Sequence, residues 1–164
     1  MTTKWITLLQ DNDYIGVKQY LKEGADINDL TETDENVISC ALRYRCDNDI
    51  IELLVKNGAD VNEYDNEGVS VFECAITYNN FKFVEYMIER GVDINDTKRR
   101  SGFTPLMAAA CYGRVEMLEL ILSAGADVEK YDRKGYNAFD YARKMQKKSI
   151  ISRLEQENDE TTQS

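Results

Sequence analysis

Apolar residues recur along this chain with a helical step inside short segments, and the segments themselves recur. Between Val115 and Leu122, the side chains of Val115, Leu118, Ile121 and Leu122 fall on one face of a helix. The same face returns upstream. Val17, Ile51, Val84 and Leu118 each stand seven residues before a glycine, and Leu21, Val55, Ile88 and Leu122 stand three before it. That glycine is placed to end the helix, because a left-handed backbone costs glycine little. A second set of helices is marked by Ala41, Ala75, Ala109 and Ala142. Three positions before each stands a large apolar residue, Ile38, Phe72, Leu106 or Phe139, with Trp5 at the matching place of the first unit. The alanines let paired helices approach closely.

The glycines open a motif written four times: Gly24-Ala25-Asp26-Ile27-Asn28, Gly58-Ala59-Asp60-Val61-Asn62, Gly91-Val92-Asp93-Ile94-Asn95 and Gly125-Ala126-Asp127-Val128-Glu129. Steps of 34, 33 and 34 residues separate them, which is the signature of a repeat array. Thr104-Pro105-Leu106 starts one of the shorter helices, with threonine as N-cap and proline in the first turn. Each unit is thus a short helix, a tight turn, a longer helix and a polar turn.

This pattern resembles the ankyrin repeat, and the stretch from Thr104-Pro105-Leu106-Met107-Ala108-Ala109 to Gly125-Ala126-Asp127 is its nearest match. The resemblance runs over residues 4 to 155 and implies an all-α solenoid of stacked helix-turn-helix units with projecting β-turns or hairpin loops. Five units are expected within residues 1–156: an amino-terminal cap over 1–30, repeats over 31–64, 65–97 and 98–131, and a carboxyl-terminal cap over 132–156. A disordered acidic tail is expected over 157–164. The chain departs from the family in having no histidine. The family's Thr-Pro-Leu-His is replaced by Asn36-Val37-Ile38-Ser39, Ser70-Val71-Phe72-Glu73 and Asn137-Ala138-Phe139-Asp140. Extra residues fall near Arg45-Cys46-Asp47 and near Lys98-Arg99.

Charge and cysteine content narrow the function. A net charge of −10 disfavours nucleic acid and anionic membrane as partners. No apolar run approaches a membrane span, and residues 1–10 lack a secretory signal, so a cytoplasmic monomer is expected. Cys40, Cys46, Cys74 and Cys111 form no Cys-x-x-Cys pair, and they read as structural thiols. Without histidine, Ser-His and Cys-His nucleophiles and most zinc sites are excluded, and no cofactor or metal is expected. The alternative is a carboxylate-based hydrolase or lyase using groove acids. Asp26, Asp60, Asp93 and Asp127 are its obvious candidates, although one per copy at a helix end suits a turn former better.

The resemblance implies binding of another protein through a concave groove lined by the short helices and the turns. Groove positions at the ends of the short helices map to Arg43-Tyr44, Thr77-Tyr78 and Cys111-Tyr112. Tyr44, Tyr78 and Tyr112 therefore form a row at steps of 34, and tyrosine is a favoured interface residue. The turn tips change sign along the array, from Glu32, Asp34 and Glu35 to Arg99, Arg100, Arg133 and Lys134, with Tyr64 and Tyr131 just before two tips. The expected binding residues are therefore Tyr44, Tyr78, Tyr112, Arg43, Thr77, Tyr64, Tyr131, Arg99, Arg100, Arg133 and Lys134, and an inhibitor or adaptor role would suit them.

Overall fold

A computed structural model describes residues 1–162, with side chains described through Glu157. Five helical hairpins follow one another among these residues: α1 (Thr3–Gln10) and α2 (Tyr14–Lys22), α3 (Val37–Arg43) and α4 (Asn48–Lys56), α5 (Val71–Thr77) and α6 (Phe81–Glu89), α7 (Pro105–Tyr112) and α8 (Val115–Ser123), α9 (Ala138–Lys144) and α10 (Lys148–Thr162). The short helices stack in the order α1, α3, α5, α7, α9. Behind them α2 packs on α4, α4 on α6, and α10 on α8.

The recurring residues form the seam between these layers. Ala41, Ala75, Ala109 and Ala142 are completely buried, beside Trp5, Ile38, Phe72 and Leu106. Val17, Ile51, Val84 and Leu118 fill the same seam from the longer helices. Leu21, Val55, Ile88 and Leu122 are only half-buried. In α4, α6 and α8 the deeper position is one residue earlier, at Leu54, Met87 and Ile121. Each motif glycine takes a positive φ, between 80° and 96°, and turns the chain out of its helix.

Helix starts follow their cap residues. The side chains of Asn36, Ser70, Thr104 and Asn137 each accept an N–H from the third residue of the following helix. Asp13 caps α2 by accepting the Gly16 N–H, whereas Asp47 makes no side-chain cap bond to α4 and its carboxylate accepts from the Asn12 amide of the preceding unit at 2.7 Å. The extra residue near Cys46 lies between α3 and α4, where the Cys46 thiol donates to the Leu9 carbonyl.

Asparagine joins neighbouring turns in this histidine-free array. Asn28 accepts from the Asp60 N–H, and Asn95 accepts from the Asp127 N–H. Asn36 donates to the Asp60 carbonyl, and Asn95 to that of Gly125. At the carboxyl end the backbone of residues 157–162, expected as tail, continues α10, and Arg153 pairs with Glu157 one turn on. The rest of that expected tail lies outside the described residues.

Candidate functional site

The face expected to be concave is built from the ends of the short helices and from the tips that project beside them. The geometry of the tips aims these side chains. In the first tip the Thr31 hydroxyl accepts the N–H groups of Thr33 and Glu35. Asp65 takes the same role for Glu67 and Val69, and Asp132 for Lys134 and Tyr136. The third tip has arginine at this register, which cannot accept a hydrogen bond. Its extra residue brings in Thr97 instead, whose hydroxyl accepts from the Arg99 N–H and donates to the Phe103 carbonyl.

Neighbouring tips are also joined. The Asn66 N–H donates to the Thr33 carbonyl, and the Arg133 N–H to the Ser101 carbonyl. Between them Gly68 lies against the backbone of Lys98, so close that a Cβ there would stand 2.4 Å from the Lys98 carbonyl. The tips therefore form one continuous row.

Between this row and the helix ends runs a cleft of about 320 Å³. Arg43, Thr77, Tyr78, Arg99 and Tyr112 of the expected residues line it, together with Val69 and Phe103. Tyr112 is 49% exposed, and Tyr78 is half-buried against the core. Tyr44 is also half-buried and is not part of this cleft wall. The Arg43 guanidinium covers its ring, 4.4 Å from the centroid.

Two of the expected cations are occupied. Arg43 makes a two-pronged contact with Glu35, 2.9 Å for the nearest pair. Arg99 bonds Glu73 at 2.6 Å, and the Glu73 side chain is only 4% exposed. Burial pushes the Glu73 carboxyl above its ordinary value, and the Arg99 charge opposes that rise. Arg99 is thus an internal partner and not a free tip charge. Arg100, Arg133 and Lys134 are exposed and form no ion pair among the described residues.

The two tyrosines before the tips differ. Tyr64 donates to Asp96 at 2.5 Å beneath the Lys98 ammonium. Burial, then this bond, push its hydroxyl up to about 12. Tyr131 is 55% exposed.

Two aromatic residues of this face were missed in the sequence. Phe103 and Tyr136 stand just before the N-caps of α7 and α9, in register with Glu35 and Val69. That register changes from acid to aliphatic to aromatic along the chain, a signal available from the repeat alignment alone. Tyr141 holds both rings edge-on, at 5.0 Å from Phe103 and 5.9 Å from Tyr136. Its hydroxyl donates to Asp132 at 2.6 Å.

The motif aspartates serve their own turns. Asp26, Asp60, Asp93 and Asp127 each accept the N–H of the residue two positions on, one per repeat. No group of histidine, cysteine or acidic side chains suited to a metal ion occurs among the described residues. No helix among them is long and apolar enough to cross a membrane.

Stacked helical hairpins with a row of tips along one edge define an all-α repeat solenoid. Residues 7–98 match three copies of the ankyrin repeat, and residues 101–133 match one more. The chain belongs to the ankyrin repeat family, whose repeats are in general protein-interaction modules. Similar proteins include the rat (Rattus norvegicus) ankyrin repeat and SAM domain-containing protein 6, 37% identical over 57 residues. The potassium channel AKT1 of Oryza sativa subsp. indica is 46% identical over 50 residues, and the E3 ubiquitin-protein ligase hecd-1 of Caenorhabditis elegans 34% over 64. These matches cover 35%, 30% and 39% of this chain but only 6%, 5% and 2% of the relatives.

Proposed function

We propose that this chain binds a partner protein through its concave face and acts by covering or bridging that partner, as an inhibitor or adaptor, and not by catalysis. The observation that carries this reading is the aromatic wall of the cleft. Tyr78 comes from one unit and Phe103 and Tyr112 from the next, and all three line one cleft, with Tyr112 half exposed. Large rings with few rotatable bonds gain contact area at little entropic cost, which is why they dominate binding hot spots. A stacked array is already ordered, so little freedom is lost when it binds. Arg43 and Thr77 complete the cleft, while Arg100, Tyr131, Arg133 and Lys134 extend the surface along the tips. Tyr44 acts beside them by bracing Arg43. A monomer in the cytoplasm suits four free thiols, three of them buried as small apolar side chains.

The test is capture of partners from cells of the source with the wild-type chain and with the Tyr44→Ala, Tyr78→Ala, Tyr112→Ala triple variant. Circular dichroism establishes first that both are helical. A protein held by the wild type and lost with the variant is expected. Equal retention by both would move the interface away from the cleft.

A further inference from the structure

The tip row has a polarity that the aromatic wall does not explain. At its amino side Glu32, Asp34 and Glu67 are exposed and form no ion pair among the described residues. At its carboxyl side Arg100, Arg133 and Lys134 are equally exposed and equally unpaired. In the cleft beside the row Arg43 pairs with Glu35 and Arg99 with Glu73, while the Asp65 carboxylate forms no ion pair among the described residues. What remains is a row of two acidic tips followed by two basic ones, with Glu67 and Arg100 meeting at its middle beside a cleft walled by Phe103 and Tyr112. Backbone hydrogen bonds from Asn66 to Thr33 and from Arg133 to Ser101, with Gly68 against Lys98 between them, hold these ends in one ordered row.

We propose that the partner presents an extended segment of opposite polarity, basic at one end, apolar or aromatic in the middle and acidic at the other. The segment lies along the tip row with its basic end over Glu32, Asp34 and Glu67 and its acidic end over Arg100, Arg133 and Lys134. This rests on the concave-face reading and adds the chemistry of the occupant. Four tips are separated by three repeat steps, each about 8–10 Å if set by helix packing, so the row is roughly 25–30 Å long. An extended chain rises about 3.3 Å per residue, so roughly eight or nine residues span it. A uniformly acidic or basic segment would meet like charge at one end, and this repulsion is what selects the polarity.

The experiment is a selection from a displayed library of random peptides on the full chain. Affinities of the enriched peptides are then measured by fluorescence anisotropy at low and high salt. The targets are the wild type, the Arg100→Glu, Arg133→Glu, Lys134→Glu variant, the Glu32→Lys, Asp34→Lys, Glu67→Lys variant, and Tyr112→Ala. The six charged side chains have no ion-pair partner among the described residues, and thermal melts verify that each variant is folded.

Enriched peptides are expected to carry acid and base at opposite ends of an apolar centre. Either charge reversal should weaken them about tenfold at low salt and less at high salt. Failure to enrich any peptide, absence of that charge order, or binding to either reversed variant as tight as to the wild type would overturn the proposal. Peptides without the charge order that still need Tyr112 would leave the concave-face reading standing. Peptides indifferent to Tyr112→Ala would overturn both.

Discussion

The two halves of the concave face are made on one backbone plan and differ in what their charges are for. In the amino-side half the cation beside the cleft, Arg43, is held by Glu35, and the free charges are acidic tips. In the carboxyl-side half Arg99 is spent on Glu73, while Arg100, Arg133 and Lys134 remain free. The local supports differ as well. Thr31 and Asp65 hold the first two tips from within, each tip closed at its base by a short antiparallel bridge, Leu30 to Asn36 and Tyr64 to Ser70. The third tip, with one more residue, depends on Thr97 and on an ion pair that reaches back 26 positions to Glu73. A charged residue in a repeat can thus be scaffold in one copy and surface in the next, and its register alone does not say which.

The largest effect that sharpens this contrast is expected from Arg99→Met. The Glu73 carboxylate would lose its partner in a nearly dry site, at a cost of about 3 kcal/mol. Arg43→Met leaves Glu35 better exposed and should cost about 1 kcal/mol or less. Urea denaturation at neutral pH reads both. The Arg99→Met effect also depends on pH. Burial holds the folded Glu73 carboxyl above its ordinary 4.5, so the folded state binds that proton more tightly than the unfolded chain. The associated stability is present below 4.5 and is lost as pH rises through the folded value. The Arg99→Met deficit should therefore be full at neutral pH and shrink on acidification. A deficit independent of pH would assign the loss to packing instead.

Next in size is a pair of glycine substitutions. Gly68 and Gly135 share a positive φ, 80° and 78°, but only Gly68 has a neighbour where a Cβ would go. Gly68→Ala is expected to cost about 2–3 kcal/mol because Lys98 must move. Gly135→Ala should cost about 1 kcal/mol from its left-handed backbone alone. Thermal melts compare them, and equal losses would show that the second and third tips are not braced against each other.

An effect smaller than those of Arg99→Met and Gly68→Ala concerns the last tip. Burial opposes charge on Asp132, yet the Tyr141 hydroxyl and two backbone N–H groups hold its carboxyl below the ordinary 3.8. Its stability is present above 3.8 and is lost as pH falls through the folded value. Asp132→Asn should cost about 1–2 kcal/mol at neutral pH. The acid-denaturation curves of variant and wild type should then converge well below pH 3.8. Parallel curves would mean that Asp132 acts through hydrogen-bond geometry and not through its charge.

Much of this was legible along the chain. The apolar step, the motif glycines and the alanine seam predicted paired helices, and the structure places each of them in a helix or at its end. The four motif aspartates read as turn formers and each closes its own turn. The extra residues near Cys46 and Lys98 were visible as breaks in the repeat step. Two aromatic residues of the concave face, Phe103 and Tyr136, were visible only to a comparison of the position before each N-cap.

The residues by themselves determined the repeat, its helices and its caps, because these depend on burial periodicity and on hydrogen bonds between residues a few positions apart. Only the stacked structure decided that Arg99 faces Glu73, that Tyr64 is tied to Asp96, and that Tyr112 stays open while Tyr44 lies under Arg43. Those outcomes join side chains from different turns and helices, and they are set by how closely one hairpin lies on the next. A charge whose partner comes from a neighbouring unit looks free until the units are packed.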